Sequence, residues 1–262
     1  MSDENMYEKV REFWNNRPCN IRHSDSDFGT KKYFDEVEKR KYFVESHIPA
    51  FADFSKWNGK SVLEIGCGIG TDAVNFARNG AKYTAIEFSD ESLEITKKRF
   101  AEYNLTGSFY SGNAEELASI IPVEKFDLVY SFGVIHHTPH PRKIIESVMS
   151  YMHESSEFRL MLYAENSWKD IMINSGLDRP EAQNGCPVAN TYTPEAVREL
   201  LRGLDVFSLE QDHIFPYVID KYNKYQYELQ PWFKAMPEDM FRALERSLGW
   251  QMLIMCKLGE QE

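Results

Sequence analysis

The sequence predicts an α/β protein with a mostly parallel sheet and helices on both faces of that sheet. Between residues 59 and 164, short apolar segments alternate with segments of helical spacing, which is the pattern of parallel strands joined by helices. The run from Val62 to Asp72 begins apolar and then breaks into three glycines at alternate positions, as a tight strand-to-helix turn does. We expect strands near residues 61–66, 82–87, 107–111, 126–131 and 158–164, and helices near residues 71–79, 90–103, 114–119 and 141–152.

The glycine-rich turn indicates the charge of its ligand. Gly66, Gly68 and Gly70 have the spacing G-x-G-x-G, whereas a dinucleotide fold has G-x-G-x-x-G with a helix N-terminus aimed at a pyrophosphate. Glu64 lies in the strand just before the turn. Its carboxylate would repel a pyrophosphate and suits a ligand that carries an ammonium or a sulfonium group.

Three further motifs follow in order. Glu87 closes the second predicted strand, where a carboxylate can accept hydrogen bonds from both hydroxyls of a ribose. Asn113 lies in a loop after the third strand, and its side chain can donate or accept at the edge of a base. The loop after the fourth strand ends in the pair His136 and His137. By the rule for open α/β sheets, all of these lie at the carboxyl edge, where ligands bind.

These motifs, from about residue 59 to residue 162, resemble those of the class I (Rossmann-like) S-adenosylmethionine (SAM)-dependent methyltransferases. The likeness is to the branch of small-molecule and ubiquinone/menaquinone-biosynthesis enzymes. It implies a seven-stranded sheet, SAM as cofactor and S-adenosylhomocysteine as product. It places Asn113 where the family more often has Asp. The cofactor-binding residues that it implies are Glu64, Gly66, Cys67, Gly68, Gly70, Thr71, Asp72, Glu87, Phe88, Asn113, Ala114 and Phe132. Trp14 and Arg17 are added because the N-terminal region is expected to fold over SAM, where an arginine can pair with the carboxylate of SAM or with an acidic acceptor.

Four residues are candidates for the catalytic role: His136, His137, Tyr163 and His213. A histidine titrates near neutral pH and can remove a proton from an acceptor. In the family's small-molecule branches the His pair often shapes the loop beside SAM instead, so both roles stay open. Tyr163 ends the fifth predicted strand, and His213 follows a later strand.

Two regions flank the predicted core. Residues 1–58 are expected to form an N-terminal helical cap region, with helices near residues 6–15 and 31–47. Residues 59–262 form the methyltransferase domain implied by the resemblance, with a helix at 194–203 and two further strands at 207–213 and 252–256. An aromatic insertion near residues 214–250 is expected to cap the site.

Composition restricts the partners. The 262 residues carry a formal net charge of −11, and the basic runs at 39–41 and 97–99 are short, which disfavours nucleic acid. Glu38 dilutes the first run, and the second is expected on a solvated helix face. No apolar run approaches the roughly 20 residues of a membrane helix, and the N-terminus lacks a signal-peptide core. Four scattered cysteines show neither a metal site nor a disulfide framework, which favours a reducing cytoplasm and no bound metal.

The leading hypothesis is a cytoplasmic SAM-dependent methyltransferase that acts at oxygen, nitrogen or carbon of a small metabolite. A peptide or protein acceptor and a non-catalytic SAM-binding protein stay as alternatives. A dehydrogenase is disfavoured by the glycine spacing and by Glu64. The acceptor is left open, and so is the choice between monomer and homodimer.

Overall fold

The computed structural model describes residues 3–177 and 185–259. Within these ranges a single sheet of eight strands forms the centre of the molecule. Its strands are β1 (Ser61–Ile65), β2 (Lys82–Glu87), β3 (Ser108–Ser111), β4 (Phe126–Phe132), β5 (Met152–Ala164), β6 (Thr191–Tyr192), β7 (Leu204–Asp212) and β8 (Gln251–Leu258).

Helices surround this sheet. In the described part of the chain they are α1 (Asp3–Asn16), α2 (Lys31–Val44), α3 (Ile48–Ala52), α4 (Thr71–Arg78), α5 (Asp90–Glu102), α6 (Leu117–Ile120), α7 (Pro141–Ser150), α8 (Trp168–Asn174), α9 (Pro194–Leu200), α10 (Ile219–Tyr222), α11 (Pro231–Lys234) and α12 (Glu238–Leu248). Short 3-10 turns cover Phe54–Trp57, Ala114–Glu116 and Ile135–His137.

The strand order is β3-β2-β1-β4-β5-β8-β7, and the two-residue strand β6 pairs with β5 outside this path. Strands β1 to β5 are parallel to one another, while β8 is antiparallel to both of the strands beside it, β5 and β7. The predicted α/β fold with a mostly parallel sheet is therefore confirmed, and β6 is an addition that the sequence pattern did not indicate. The order reverses between β1 and β4, which opens a crevice at their carboxyl ends.

Each face of the sheet has its own apolar core. On one face Val74 and Phe76 of α4 pack with Phe100 of α5 against the strands. On the other face Ile144 and Val148 of α7 pack with residues of α9. Burying both faces requires nearly continuous apolar strands, and β1 and β4 have that pattern.

Several element ends differ from the expected ones. The helix expected at 31–47 ends at Val44, because Glu45 leaves the helical region at φ −114° and ψ 62°, and α3 then begins with Pro49 in its first turn. The helix expected at 114–119 is a 3-10 turn followed by the short α6. Strand β5 reaches back to Met152.

The flanking regions pack onto the core. Helix α2 buries Phe34 and Val37 against Ile69 and Ile95, and α10, α11 and α12 lie between β7 and β8 in the chain. Residues 1–2 and 260–262, the ends of the two expected regions, lie outside the described residues. None of the described helices combines the length and apolar character that crossing a membrane requires.

The basic run at 97–99 is solvated only in part, which corrects one expectation from the sequence. Lys97 and Lys98 are exposed, but Arg99 is 0% exposed, and it donates to the Thr71 hydroxyl at 2.7 Å and to the Phe34 carbonyl at 3.0 Å. In the run at 39–41, Arg40 is 6% exposed and the side chain of Lys41 is 12% exposed. These buried cations hold elements together.

Candidate functional site

A cavity of about 350 Å³ lies at the carboxyl ends of β1, β2 and β4, between the N-terminal region and the segment after β7. Fifteen of the predicted site residues line it: Trp14, Glu64, Gly66, Cys67, Gly68, Thr71, Asp72, Glu87, Phe88, Asn113, Ala114, Phe132, His137, Tyr163 and His213. Arg17, Gly70 and His136 are not among the lining residues. The structure thus brings residues that are up to 199 positions apart around one space of the size of a ligand pocket.

The glycine turn presents bare backbone to this cavity. Gly66, Gly68 and Gly70 have φ angles of +77°, +54° and +76°, a region that side chains other than glycine rarely adopt. A Cβ added at Gly68 would meet nothing within 4 Å. A Cβ at Gly66 would lie 2.3 Å from Cγ2 of Val134. Gly68 is therefore the position where a ligand can approach the main chain, and Gly66 is required by packing.

Glu87 is fixed at the end of β2 by the backbone. Its two carboxylate oxygens accept hydrogen bonds from the N–H groups of Gly68 at 2.8 Å and Ser89 at 2.9 Å. Burial raises the pKa of Glu87, and these backbone donors oppose that shift. Each oxygen retains a lone pair that can accept a hydroxyl proton from a ligand.

A network of buried acids lies beside the turn. Glu64 accepts a hydrogen bond from the Tyr83 hydroxyl at 2.5 Å. Its burial, together with the nearby charge of Asp72, raises the pKa of Glu64 to about 8. Asp72 is itself paired with Lys41 at 2.8 Å and accepts from the Tyr130 hydroxyl at 3.1 Å. A bound cation would compensate the charge that burial disfavours at Glu64.

Helix α1 closes one side of the cavity. The Tyr7 hydroxyl donates to Glu115 at 2.6 Å, and Arg11 pairs with Asp90 at 2.5 Å. The ring of Trp14 meets that of His137 edge-on at a centroid distance of 5.1 Å. Tyr7, Val10 and Trp14 therefore form part of the cavity wall.

Asn113, in the loop after β3, caps the 3-10 turn that follows it. Its side-chain oxygen accepts from the N–H of Glu115 at 3.0 Å. Asn113 lines the cavity together with Phe88 and Ala114. This is the part of the site where the family resemblance implies contact with a base.

The two adjacent histidines have different surroundings. His136 is fully buried, with its ring 3.8 Å from that of Tyr163 between centroids, and burial holds its pKa well below 6.5. His137 lines the cavity, and its Nδ1 donates to the Val188 carbonyl at 2.8 Å. Burial lowers the pKa of His137 to about 4. Both rings are neutral at pH 7, and the geometry makes this loop a wall of the site.

Tyr163 and His213 also line the cavity, although both lie far from the glycine turn in the sequence. The Tyr163 ring stacks on Trp250 with centroids 4.3 Å apart, and burial raises the pKa of Tyr163. His213 has a left-handed backbone at φ +72°, and burial lowers its pKa to about 4. Both can accept or donate a hydrogen bond inside the cavity without carrying charge at neutral pH.

Sequence reasoning missed the residues at the C-terminal end of α2 that line the cavity. Lys41, Val44 and Glu45 all line the cavity, and they follow Val37 at helical intervals, so all four lie on one face. The signal was present, because two charged residues at i and i+4 on a buried face need partners or a ligand. Gln251, at the start of β8, is a second lining residue that the sequence did not indicate.

The N-terminal loop and the segment after β7 add an aromatic wall. His23, Phe215 and Tyr222 line the cavity, and the hydroxyl of Tyr222 lies 3.4 Å from Nε2 of His23. Arg40 is held between the rings of Tyr222 and Tyr225, 4.1 Å from each centroid, and its guanidinium donates to the Tyr222 carbonyl at 2.7 Å. These contacts fasten the aromatic segment to α2 across the cavity.

Residues 62–154 match the family described as a methyltransferase domain. A ubiquinone biosynthesis O-methyltransferase of Haemophilus ducreyi is 36% identical over 92 residues, which cover 34% of this chain and 39% of that enzyme. The enzyme of the same description from Klebsiella pneumoniae is 24% identical over 158 residues, which cover 60% of this chain and 64% of that enzyme. The chain therefore spans less than two thirds of either relative.

Solved structures share the fold over nearly the whole chain. The magnesium protoporphyrin IX methyltransferase of Synechocystis PCC 6803 with bound S-adenosylhomocysteine has a TM-score of 0.61 and 14% identity, with 95% of this chain and 98% of that chain covered. A Haloferax volcanii putative methyltransferase, solved with the Trm112 activator, has a TM-score of 0.62 and 15% identity, covering 97% and 99%. At these identities the likeness establishes the fold.

Proposed function

We propose that the chain is a SAM-dependent methyltransferase that acts on a small molecule. Residues 62–154 match a methyltransferase domain, and a methyltransferase solved with bound S-adenosylhomocysteine shares the fold. The observation that carries the proposal is the cavity itself. It combines the open backbone at Gly68, the fixed carboxylate of Glu87 and the buried carboxylate of Glu64 in one space.

The residues present fit the cofactor. An open main chain at Gly68 can receive a bulky ligand, since a Cβ there would project into empty space. Glu87 can accept hydrogen bonds from ribose hydroxyls, and Glu64 is a buried carboxylate for which a positive charge provides compensation. When bound, SAM supplies a methyl group on a positively charged sulfur that a nucleophile can attack.

We assign to the acceptor ten further lining residues, all from outside the matched domain: Cys19, Asn20, His23, Lys41, Glu45, Tyr163, His213, Phe215, Tyr222 and Gln251. These side chains can orient an acceptor, exclude water and receive its proton, which are the contributions that methyl transfer needs from a protein. Helix α1 and the aromatic segment enclose this space, which supports a small acceptor over a protein chain.

Two further assignments belong to the proposal. The net charge of −11 and the burial of Arg40, Lys41 and Arg99 support an acceptor other than nucleic acid. The scattered cysteines support a reducing, cytoplasmic location. Either a monomer or a homodimer is compatible with a cavity whose described walls come from one chain.

Titration calorimetry with SAM and S-adenosylhomocysteine tests the proposal. We expect saturable binding of both ligands. Glu87→Gln should weaken binding about tenfold or more through the loss of charge-assisted hydrogen bonds, while Glu102→Gln, at an exposed position on α5, should leave it unchanged. Circular dichroism confirms that each variant is folded. A folded wild-type protein that binds neither ligand at about millimolar concentration would refute the proposed function.

A further inference from the structure

Glu45 holds a distinct position in the cavity. It caps the C-terminal end of α2 and lines the cavity. Nε2 of Gln251 donates to Oε1 of Glu45 at 2.6 Å, and Oε1 of Gln251 is 2.6 Å from Nε2 of His47. Gln251 is 4% exposed. The buried amide therefore orients the carboxylate, and no other hydrogen bond to that carboxylate comes from residues 3–177 or 185–259.

The two histidines around Glu45 carry no positive charge at neutral pH. Its charge acts on His23, Tyr163 and His213, so all three lie within its electrostatic reach. Burial lowers the pKa of both histidines to about 4, which leaves them neutral at pH 7. The negative charge of Glu45 also acts on Lys41, but the ammonium group of Lys41 is bonded to Asp72 at 2.8 Å.

The net charge of the residues that line the cavity also favours a positively charged acceptor. Among the described lining residues there are four carboxylates, Glu45, Glu64, Asp72 and Glu87, and one permanent cation, Lys41. SAM adds a net charge of one positive unit, because its ammonium and carboxylate cancel and the sulfonium remains. Carboxylates are still in excess, by one if Glu64 with its raised pKa keeps its proton and by two if it ionises, and an excess charge in a partly enclosed cavity is costly unless it is paired.

We propose that the acceptor is a protonated amine and that Glu45 binds its nitrogen. This rests on the proposed function and narrows it to transfer at nitrogen. An anionic acceptor would add to the uncompensated charge, and a neutral alcohol would leave it in place. An ammonium group compensates Glu45 directly, and the ring of Phe215, which lines the same space, offers a face that attracts a cation.

The chemistry balances with Glu45 as the proton acceptor. One N–H bond of the bound ammonium breaks and its proton forms an O–H bond with the Glu45 carboxylate. The nitrogen lone pair that is released forms a bond to the methyl carbon as the carbon–sulfur bond breaks, and that bond's electron pair stays on sulfur. The products are a methylated ammonium and S-adenosylhomocysteine, and Glu45 then loses its proton to solvent. No oxidant or further reactant is required.

The test uses matched probes that differ only in charge. These are 2-phenylethylamine, 2-phenylethanol and phenylacetate, with a parallel set on an indolyl body, each titrated by calorimetry into protein saturated with S-adenosylhomocysteine. We expect the amines to bind about ten- to a hundredfold more tightly than the matched alcohols and carboxylates. Glu45→Gln should remove this preference, and Glu102→Gln should retain it. Methyl transfer from SAM, followed by mass spectrometry, should occur on the amines alone.

Each other result refutes the inference. Equal or tighter binding of an alcohol or carboxylate, no binding of either amine, or an amine preference that survives Glu45→Gln would each overturn it. The titration of S-adenosylhomocysteine comes first and separates the two proposals. If the wild-type protein fails to bind that ligand, the proposed function itself is wrong. If it binds in wild type and in Glu45→Gln alike, a loss of amine binding in the variant reports on Glu45 and not on misfolding.

Discussion

Replacing Glu64 with glutamine should stabilise the ligand-free protein at neutral pH. Glu64 is 3% exposed, and its burial beside Asp72 raises its pKa from 4.5 to about 8. Between those two pH values the folded protein retains a proton that the unfolded chain has released. The contribution to stability is therefore complete below about pH 4.5 and is lost progressively as the pH rises toward 8. Glutamine cannot ionise, but it retains an oxygen for the Tyr83 hydroxyl.

The size of the stability difference follows from the pKa shift of Glu64. Each pH unit within this window removes about 1.4 kcal/mol from the stability of the wild-type protein relative to Glu64→Gln. The variant should therefore gain little at pH 5 and about 3 kcal/mol at pH 7, as an upper estimate. The carboxylates of Asp72 and Glu87 titrate in both proteins, so their contributions largely cancel in the difference.

Urea unfolding followed by tryptophan fluorescence at pH 5, 6, 7 and 8 measures this difference. A stability difference that does not grow with pH would refute the assignment of a raised pKa to Glu64. The same variant should bind SAM more weakly, because a cationic ligand favours the ionised carboxylate that the variant lacks. In the wild type below pH 8, binding should release a proton, which calorimetry in two buffers of different ionisation enthalpy detects.

Two further predictions concern the turn and α1. Gly66→Ala should destabilise the protein by about 1–3 kcal/mol more than Gly59→Ala, since both have a left-handed φ but only the Cβ at Gly66 would collide, at 2.3 Å from Val134. Equal unfolding midpoints for the two variants would contradict this. Tyr7→Phe should cost about 1 kcal/mol through loss of the 2.6 Å hydrogen bond to Glu115, and should speed proteolysis within α1. Unchanged cleavage would show that this bond does not hold the helix.

The core of the fold could be predicted because its sequence signals are local. The strand before the glycine turn is mostly apolar, with Glu64 as the exception that the site uses, and the turn itself needs backbone conformations that only glycine adopts readily. Strand β6 was missed because two residues carry no periodicity. The end of α2 at Val44 was missed because helical spacing continues through Phe43 and Val44 toward His47, and only the backbone conformation of Glu45 breaks it.

The lining of the cavity was predictable around the glycine turn and much less so in the part where we propose the acceptor. Glu87 was identifiable because it ends a strand next to the glycine turn in space, a relation that the topology of parallel sheets dictates. The Glu45–Gln251–His47 arrangement joins residues 204 and 206 positions apart. Such a long-range amide bridge leaves no local pattern in a sequence. Likewise, the prediction that Arg99 lies on a solvated face was wrong, because its hydrogen-bond partners on α2 and α4 lie far away along the chain.

Helix α2 and its C-cap residue reach two parts of the cavity. Lys41 pairs with Asp72 in the first turn of α4, and Glu45, four positions later, lines the part where we propose the acceptor. The N–H of Glu45 bonds to the Lys41 carbonyl, and four residues span about 6 Å along a helix axis, so the two side chains move with one element. Arg99 of α5 bonds to Thr71 of α4 and to Phe34 of α2, while Arg40 of α2 contacts the ring of Tyr222. A shift of α2 would therefore change both parts of the cavity together.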